Sequence, residues 1–211
     1  MVPALPAIAL IAVGILYLQR DTPEKVEKLL AKAYTEQRTI AMRWPGAEWS
    51  RVSVKQAPMS ALHSSTNLLD AENILERQHA DSSSTESWIE MSARVDIFNW
   101  KPKLAIDKLT KLFNANPGSA ALKSDLAMAY FESGEITGNP ADYKQSLTYL
   151  NDLVFQRPTD REALYNRAVV IERLGLTHDA IQAWNDYLQI ETEPHWVSDA
   201  RDHLARLQMQ K

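Results

Sequence analysis

The stretch REALYNRAVVIERLGLTHDAIQAWNDYLQIETEP, residues 161–194, decides the fold. Leu164, Ala168 and Ile171 recur at the interval that places them on one face of a helix, and Ala180 and Trp184 do so again further on. Glu193-Pro194 punctuates the pair, since proline lacks the N–H that a continuing helix needs. Small residues such as Ala168 and Ala180 let two helices cross closely, and large ones such as Trp184 fill the space between successive pairs.

Working outward, the same arrangement returns twice upstream. Ala105, Leu109 and Pro117 form one triplet, Ser146, Leu150 and Pro158 a second, and Ala180, Trp184 and Thr192 a third, each with internal steps of 4 and 8 residues. Ile89 and Ala93 precede the first triplet, Leu126, Ala127 and Tyr130 the second. The second copy is 7 residues longer, which Ser133 to Pro140 accommodates as an insertion at the turn between paired helices. A step of 34 residues back from Ala105 lands on Ala71, with Leu75 one turn beyond. Asn67 to His79 therefore reads as a half-repeat. After Pro194, Trp196, Ala200, Leu204 and Leu207 mark an amphipathic helix that covers the last copy's apolar face.

These triplets resemble the tetratricopeptide consensus, W-x2-L-G-x2-Y, A-x3-F and P over about 34 residues. The resemblance implies an all-α solenoid: a half-repeat at 66–80, repeats at about 86–119, 120–160 and 161–193, and a capping helix at 194–209. A more specific resemblance lies in Ala33-Tyr34-Thr35-Glu36-Gln37-Arg38-Thr39 and Arg43-Trp44-Pro45-Gly46-Ala47. Followed by such repeats, these runs look like bacterial tetratricopeptide proteins that carry a caspase-like CHAT domain. In that family a transmembrane segment commonly precedes the repeats.

Met1 to Leu18 carries no charged residue, and Gln19-Arg20-Asp21 ends the run. An 18-residue helix is roughly 27 Å long, close to the ~30 Å hydrocarbon core. Residues 1–20 are therefore expected to form a transmembrane helix, with a cleaved signal peptide or a buried core helix as the alternatives. The expected setting is a single-pass protein of a bacterial inner membrane. Arg20, Lys25, Lys28 and Lys32 favour a cytoplasmic body by the positive-inside rule, but interspersed acids leave the side open.

Residues 21–65 read as a membrane-proximal helix followed by an irregular segment. Thr22-Pro23-Glu24 is a helix start, and Val26, Leu29, Leu30 and Ala33 carry the helix to about Arg38. Trp44-Pro45-Gly46 is a breaker, and Arg51-Val52-Ser53-Val54-Lys55 alternates like a short strand. Trp44 and Trp49 are expected to pack this region against the first helices, with a docking surface as the alternative.

Chemistry is not encoded in any motif. The chain has no cysteine, which excludes disulfides, thiolate metal sites and a cysteine nucleophile. A formal charge of −4 argues against a nucleic-acid footprint. His63, His79, His178, His195 and His203 share no ligand spacing; only Asp199 and His203 lie one turn apart, and both read as surface residues. Ser82-Ser83-Ser84 lacks the glycine-flanked turn of a nucleophile elbow, and Gly134 and Gly138 flank no phosphate-binding Lys-Ser/Thr pair. No enzyme, metal, cofactor or small-molecule substrate is expected.

The tetratricopeptide resemblance implies binding of a protein or peptide on the concave face. Placing the helices by that resemblance puts Glu90, Arg94, Ile97 and Phe98 there from the first copy. The second contributes Ser124, Met128, Phe131 and Glu132, and the third Glu162, Tyr165, Val169, Glu172 and Arg173. Glu90, Asp125 and Glu162 stand near the positions where a carboxylate clamp needs cations, so an acidic chain terminus is not the expected ligand. The expected function is a membrane-anchored interaction scaffold. The alternative is a truncated or split regulatory arm of a CHAT-type protein.

Overall fold

The computed structural model describes residues 21–52, 65–80 and 85–209. The described residues form helices and connecting segments, without a strand. The elements are α1 (Pro23–Glu36), α2 (Thr66–Ala80), α3 (Glu86–Phe98), α4 (Pro102–Ala115), α5 (Ala120–Thr137), α6 (Pro140–Gln156), α7 (Arg161–Arg173), α8 (Thr177–Leu188) and α9 (Pro194–Met209). Each helix packs on its neighbours in sequence, and α1 meets α3 as α3 meets α5. This is an all-α stack of helix pairs closed by α9.

Local chemistry sets the boundaries. Thr22, Ser119, Asn139 and Asp160 accept backbone N–H groups at the starts of α1, α5, α6 and α7, using donors that a first turn leaves unpaired. Pro23, Pro102 and Pro140 occupy opening positions, where a missing N–H costs nothing. The periodic residues form the core: Ala105, Leu109, Ser146, Leu150, Ala180 and Trp184 are all buried. Ala71 and Leu75 are buried as well, as are Trp196, Ala200, Leu204 and Leu207 of α9.

The structure departs from the sequence reading in four places. First, α1 packs on α2, the helix of segment 66–80, across the long connection that begins at Gln37. Second, α1 stops at Glu36. Third, Ser133–Thr137 is not turn but the last stretch of α5, and the turn is confined to Gly138 and Asn139. Fourth, Arg51 and Val52 form no strand. Ser53–Lys55 lie outside the described residues, as does the expected transmembrane segment at 1–20. No helix among the described residues is long and apolar enough to cross a membrane.

Gly134 explains how α5 extends without losing its partner. A Cβ there would lie 2.7 Å from Cε1 of Tyr143, so α6 sets its ring directly on the α5 backbone. Gly134→Ala is expected to lower stability by about 1–3 kcal/mol through overpacking, although alanine ordinarily favours a helix. In a Tyr143→Ala background the same change is expected to stabilise, by about 0.5–1 kcal/mol. Urea unfolding of the four proteins checks this double cycle.

Candidate functional site

The segment after α1 crosses the face formed by the first helices of the pairs. It is extended and irregular, and it is held by side chains that come from both ends of the stack. We refer to Gln37–Ser50 as the arm.

Arg38 organises it. Its side chain is completely buried. Nε donates to the carbonyl of Ile40, Nη2 to Ala41 at 2.7 Å and Nη1 to Ser50 at 3.0 Å, so one guanidinium gathers three arm carbonyls. The remaining contacts leave the arm: Nη2 donates to the Tyr165 hydroxyl at 2.9 Å, and Nη1 meets Asp199 at 3.3 Å. Those five bonds use all five donors of an arginine. Burial works against the charge, but Tyr165, Tyr34 and Asp199 outweigh it and hold Arg38 above its usual value.

Arg43 and Trp44 anchor the middle. Asn166 of α7 accepts the Arg43 N–H at 2.6 Å and donates to the Arg43 carbonyl at 3.0 Å. A side-chain amide thus pairs with both polar groups of one peptide residue, as a neighbouring strand would. The Arg43 guanidinium reaches Glu191 at 2.6 Å and lies over the Trp196 ring, which Arg38 also approaches. Trp44 is buried edge-on against Phe98 of α3, and Trp49 stacks on His195 at the start of α9. Trp44 therefore packs near the first pairs as expected, whereas Trp49 packs against the far end of the chain. Gly46 N–H donates to Glu162, and the Tyr34 hydroxyl donates to the Met42 carbonyl.

The arm changes the meaning of the expected groove. Phe98, Met128, Phe131, Tyr165 and Val169 are all buried, so none of them presents an open apolar surface. Phe98 lies under Trp44, Tyr165 under Arg38, and Phe131 against Tyr143 of its own pair. Ile97 and Glu132 are buried too. Arg173 is exposed and pairs with Glu135 at 2.7 Å. Glu172 is engaged by α8 and α9: it accepts from Trp184 Nε1 and contacts His203, whose ring stacks on Trp184. His203 is thus part of the α7–α9 packing, and Asp199 turns instead to Tyr165 and Arg38.

Arg94, Ser124 and Glu162 come together beside the arm. They line a hollow of about 420 Å³, with Glu27, Pro45 and Arg157 among its other walls. Arg94 is buried and donates to Asp125 at 2.8 Å, to Glu90 at 2.9 Å and to Glu27 at 3.1 Å. These carboxylates raise Arg94 despite its burial. Burial pushes Glu90 and Glu162 above the ordinary carboxylate value, with Arg94 and the Gly46 N–H respectively offsetting part of that push. The hollow is consequently a mixed-charge recess in which Arg94 is already neutralised. Among the described residues no cluster of acidic or histidine side chains could hold a metal ion.

Neither a family model nor a curated protein matches this sequence.

Glu191 latches the arm to the end of the stack. It is buried, and it accepts from Arg43, from the Tyr187 hydroxyl and from the N–H groups of Thr192 and Glu193. Burial pushes its carboxyl up, but these donors prevail and hold it down at about 2, from an ordinary 4.5. A carboxyl with a depressed folded value contributes stability that is complete above its unfolded value and lost as the pH falls toward the folded one. Between roughly pH 5 and 2 the wild type is expected to lose stability more steeply than Glu191→Gln, and at pH 7 the variant is expected to be the less stable. Urea midpoints followed by tryptophan fluorescence across that range check this, and parallel curves contradict it.

Proposed function

We propose that the chain is a tetratricopeptide-type scaffold, tethered by residues 1–18 to a bacterial inner membrane, that holds an extended segment or helix of another protein and catalyses nothing itself. The observation that carries this reading is the grip on the arm. The inner face of the stack already holds one extended peptide, by pairing Asn166 with its backbone and by seating a tryptophan against Phe98. Backbone pairing gives affinity without dictating sequence, and the buried anchor gives register.

The partner's seat in this reading is the recess that the arm leaves open, lined by Arg94, Ser124 and Glu162 with Glu90 behind them. A peptide there would run alongside Pro45 of the arm. The neutralised Arg94 and the neighbouring carboxylates suit a segment that brings its own donors more than an acidic chain end. The arm also bears on the alternative reading, a regulatory arm of a CHAT-type caspase-like protein whose effector is a separate chain. The runs that carry that resemblance, Ala33 to Thr39 and Arg43 to Ala47, contain Tyr34, Arg38, Arg43, Trp44 and Gly46, which build the arm and its anchors.

Photo-crosslinking in native membranes tests the recess. A benzophenone amino acid at the exposed Ala121 or at Ser124 is expected to capture a discrete protein, and Ser124→Trp, which fills the space, to abolish capture from Ala121. Phe155, 88% exposed and outside the recess, serves as the control position. Capture of the same proteins from position 155, or none from 121 and 124, contradicts the reading.

A further inference from the structure

Two departures from the repeat meet at one edge of the stack, away from the arm. The first is a backbone conformation. The turns that follow α5 and α7 place a residue in the left-handed region, at Gly138 (φ 69°) and Gly175 (φ 71°), where glycine meets no steric penalty. The turn that follows α3 has the same form but carries Trp100, at φ 59°. A bulky side chain is rarely found there, and glycine would make the same turn without strain.

The second departure is the insertion. At 18 residues α5 outruns α3 and α7, each of 13, and its extra C-terminal turn carries Ile136 outward. Ile136 and Leu104 are each 51% exposed. With Trp100 and Pro102 they line a hollow of about 240 Å³, rimmed by Lys101 and Lys103. Both lysine side chains are exposed and without a carboxylate partner among the described residues.

We propose that this edge hollow is a second docking site, for a short acidic peptide segment that inserts one large apolar side chain between Leu104 and Ile136 while its carboxylates pair with Lys101 and Lys103. Size and charge select that occupant. The space is below the ~300 Å³ at which small-molecule pockets begin, yet it takes one leucine or phenylalanine side chain. The two lysines fall short of the four to eight cations that mark an anionic membrane contact. They do give the rim the sign that draws an acidic segment and disfavours a basic one.

Selection from a random dodecapeptide phage library on the purified full chain tests the site, with counter-selection on Leu104→Asp/Ile136→Asp. Enriched peptides are expected to be net acidic around one aromatic or aliphatic anchor, and to bind the counter-selection protein at least tenfold more weakly. Lys101→Glu/Lys103→Glu is expected to reverse the preference to basic flanks, whereas Ser124→Trp leaves edge binding intact and so separates this site from the recess beside the arm. No enrichment, no charge bias, or equal binding to the counter-selection protein overturns the proposal. So does concentration-dependent self-association, or binding to phosphatidylserine vesicles, that Leu104→Asp/Ile136→Asp removes in place of peptide binding. Unchanged circular dichroism and melting temperature establish that the exposed substitutions leave the fold in place.

Discussion

A guanidinium with no exposure to water is the constraint on which this structure turns. Removing a charge from water costs several kcal/mol, and the cost is recovered only if every donor finds an acceptor. Arg38 recovers it by drawing in the carbonyls of Ile40, Ala41 and Ser50 and by reaching Tyr165 and Asp199. The first three contacts give the arm its shape. The last two tie Arg38, just past the first helix, to α7 and α9, more than a hundred residues later in the chain. Arg43 follows the logic only in part, since its Nη1 reaches Glu191 and Tyr187 while its buried Nε has no hydrogen-bond partner among the described residues; both arginines share the face of Trp196.

The arm makes the inner face a packed interface over much of its extent. Residues that would be adhesive if bare, Phe98 and Tyr165 foremost, instead seat Trp44 and Arg38. Among the hollows that stay open, the recess near Arg94 is of mixed charge with that arginine pre-paired, and the one at the edge near Trp100 is apolar with a basic rim. The two surfaces differ in chemistry, so in our account they serve different partners. The recess uses the inner face of the pairs, and the edge hollow uses features that the repeat does not require.

Much of the helix order was legible because it rests on local rules. The steps from Ala105 to Leu109, Ser146 to Leu150 and Ala180 to Trp184 are helix-face spacings, and all six residues are buried. The pairing of α1 with α2 was not legible, because the connection that separates them breaks the repeat's register. The end of α5 was misread for a related reason: glycines at 134 and 138 look alike in sequence, yet one lies inside a helix against Tyr143 and the other ends it. The arm was invisible because its contacts join residues far apart in sequence. Its one available signal was composition, two arginines and two tryptophans in a segment with too little regular structure to need them. Asn166, a polar residue among the buried positions of α7, is the matching signal on the other side.

The absence of cysteine makes the central claim directly measurable, since two spin labels can be placed without background. Labels at the exposed positions Lys28 in α1 and Arg201 in α9 report the distance between the ends that the arm joins. Double electron–electron resonance is expected to give one narrow distance distribution in the wild type. Arg38→Gln, which cannot satisfy the same set of acceptors, is expected to broaden it while the helical circular dichroism is kept. A distribution equally narrow and unmoved in the variant would contradict the account, because the ends of the stack would then be held by the helix pairs alone.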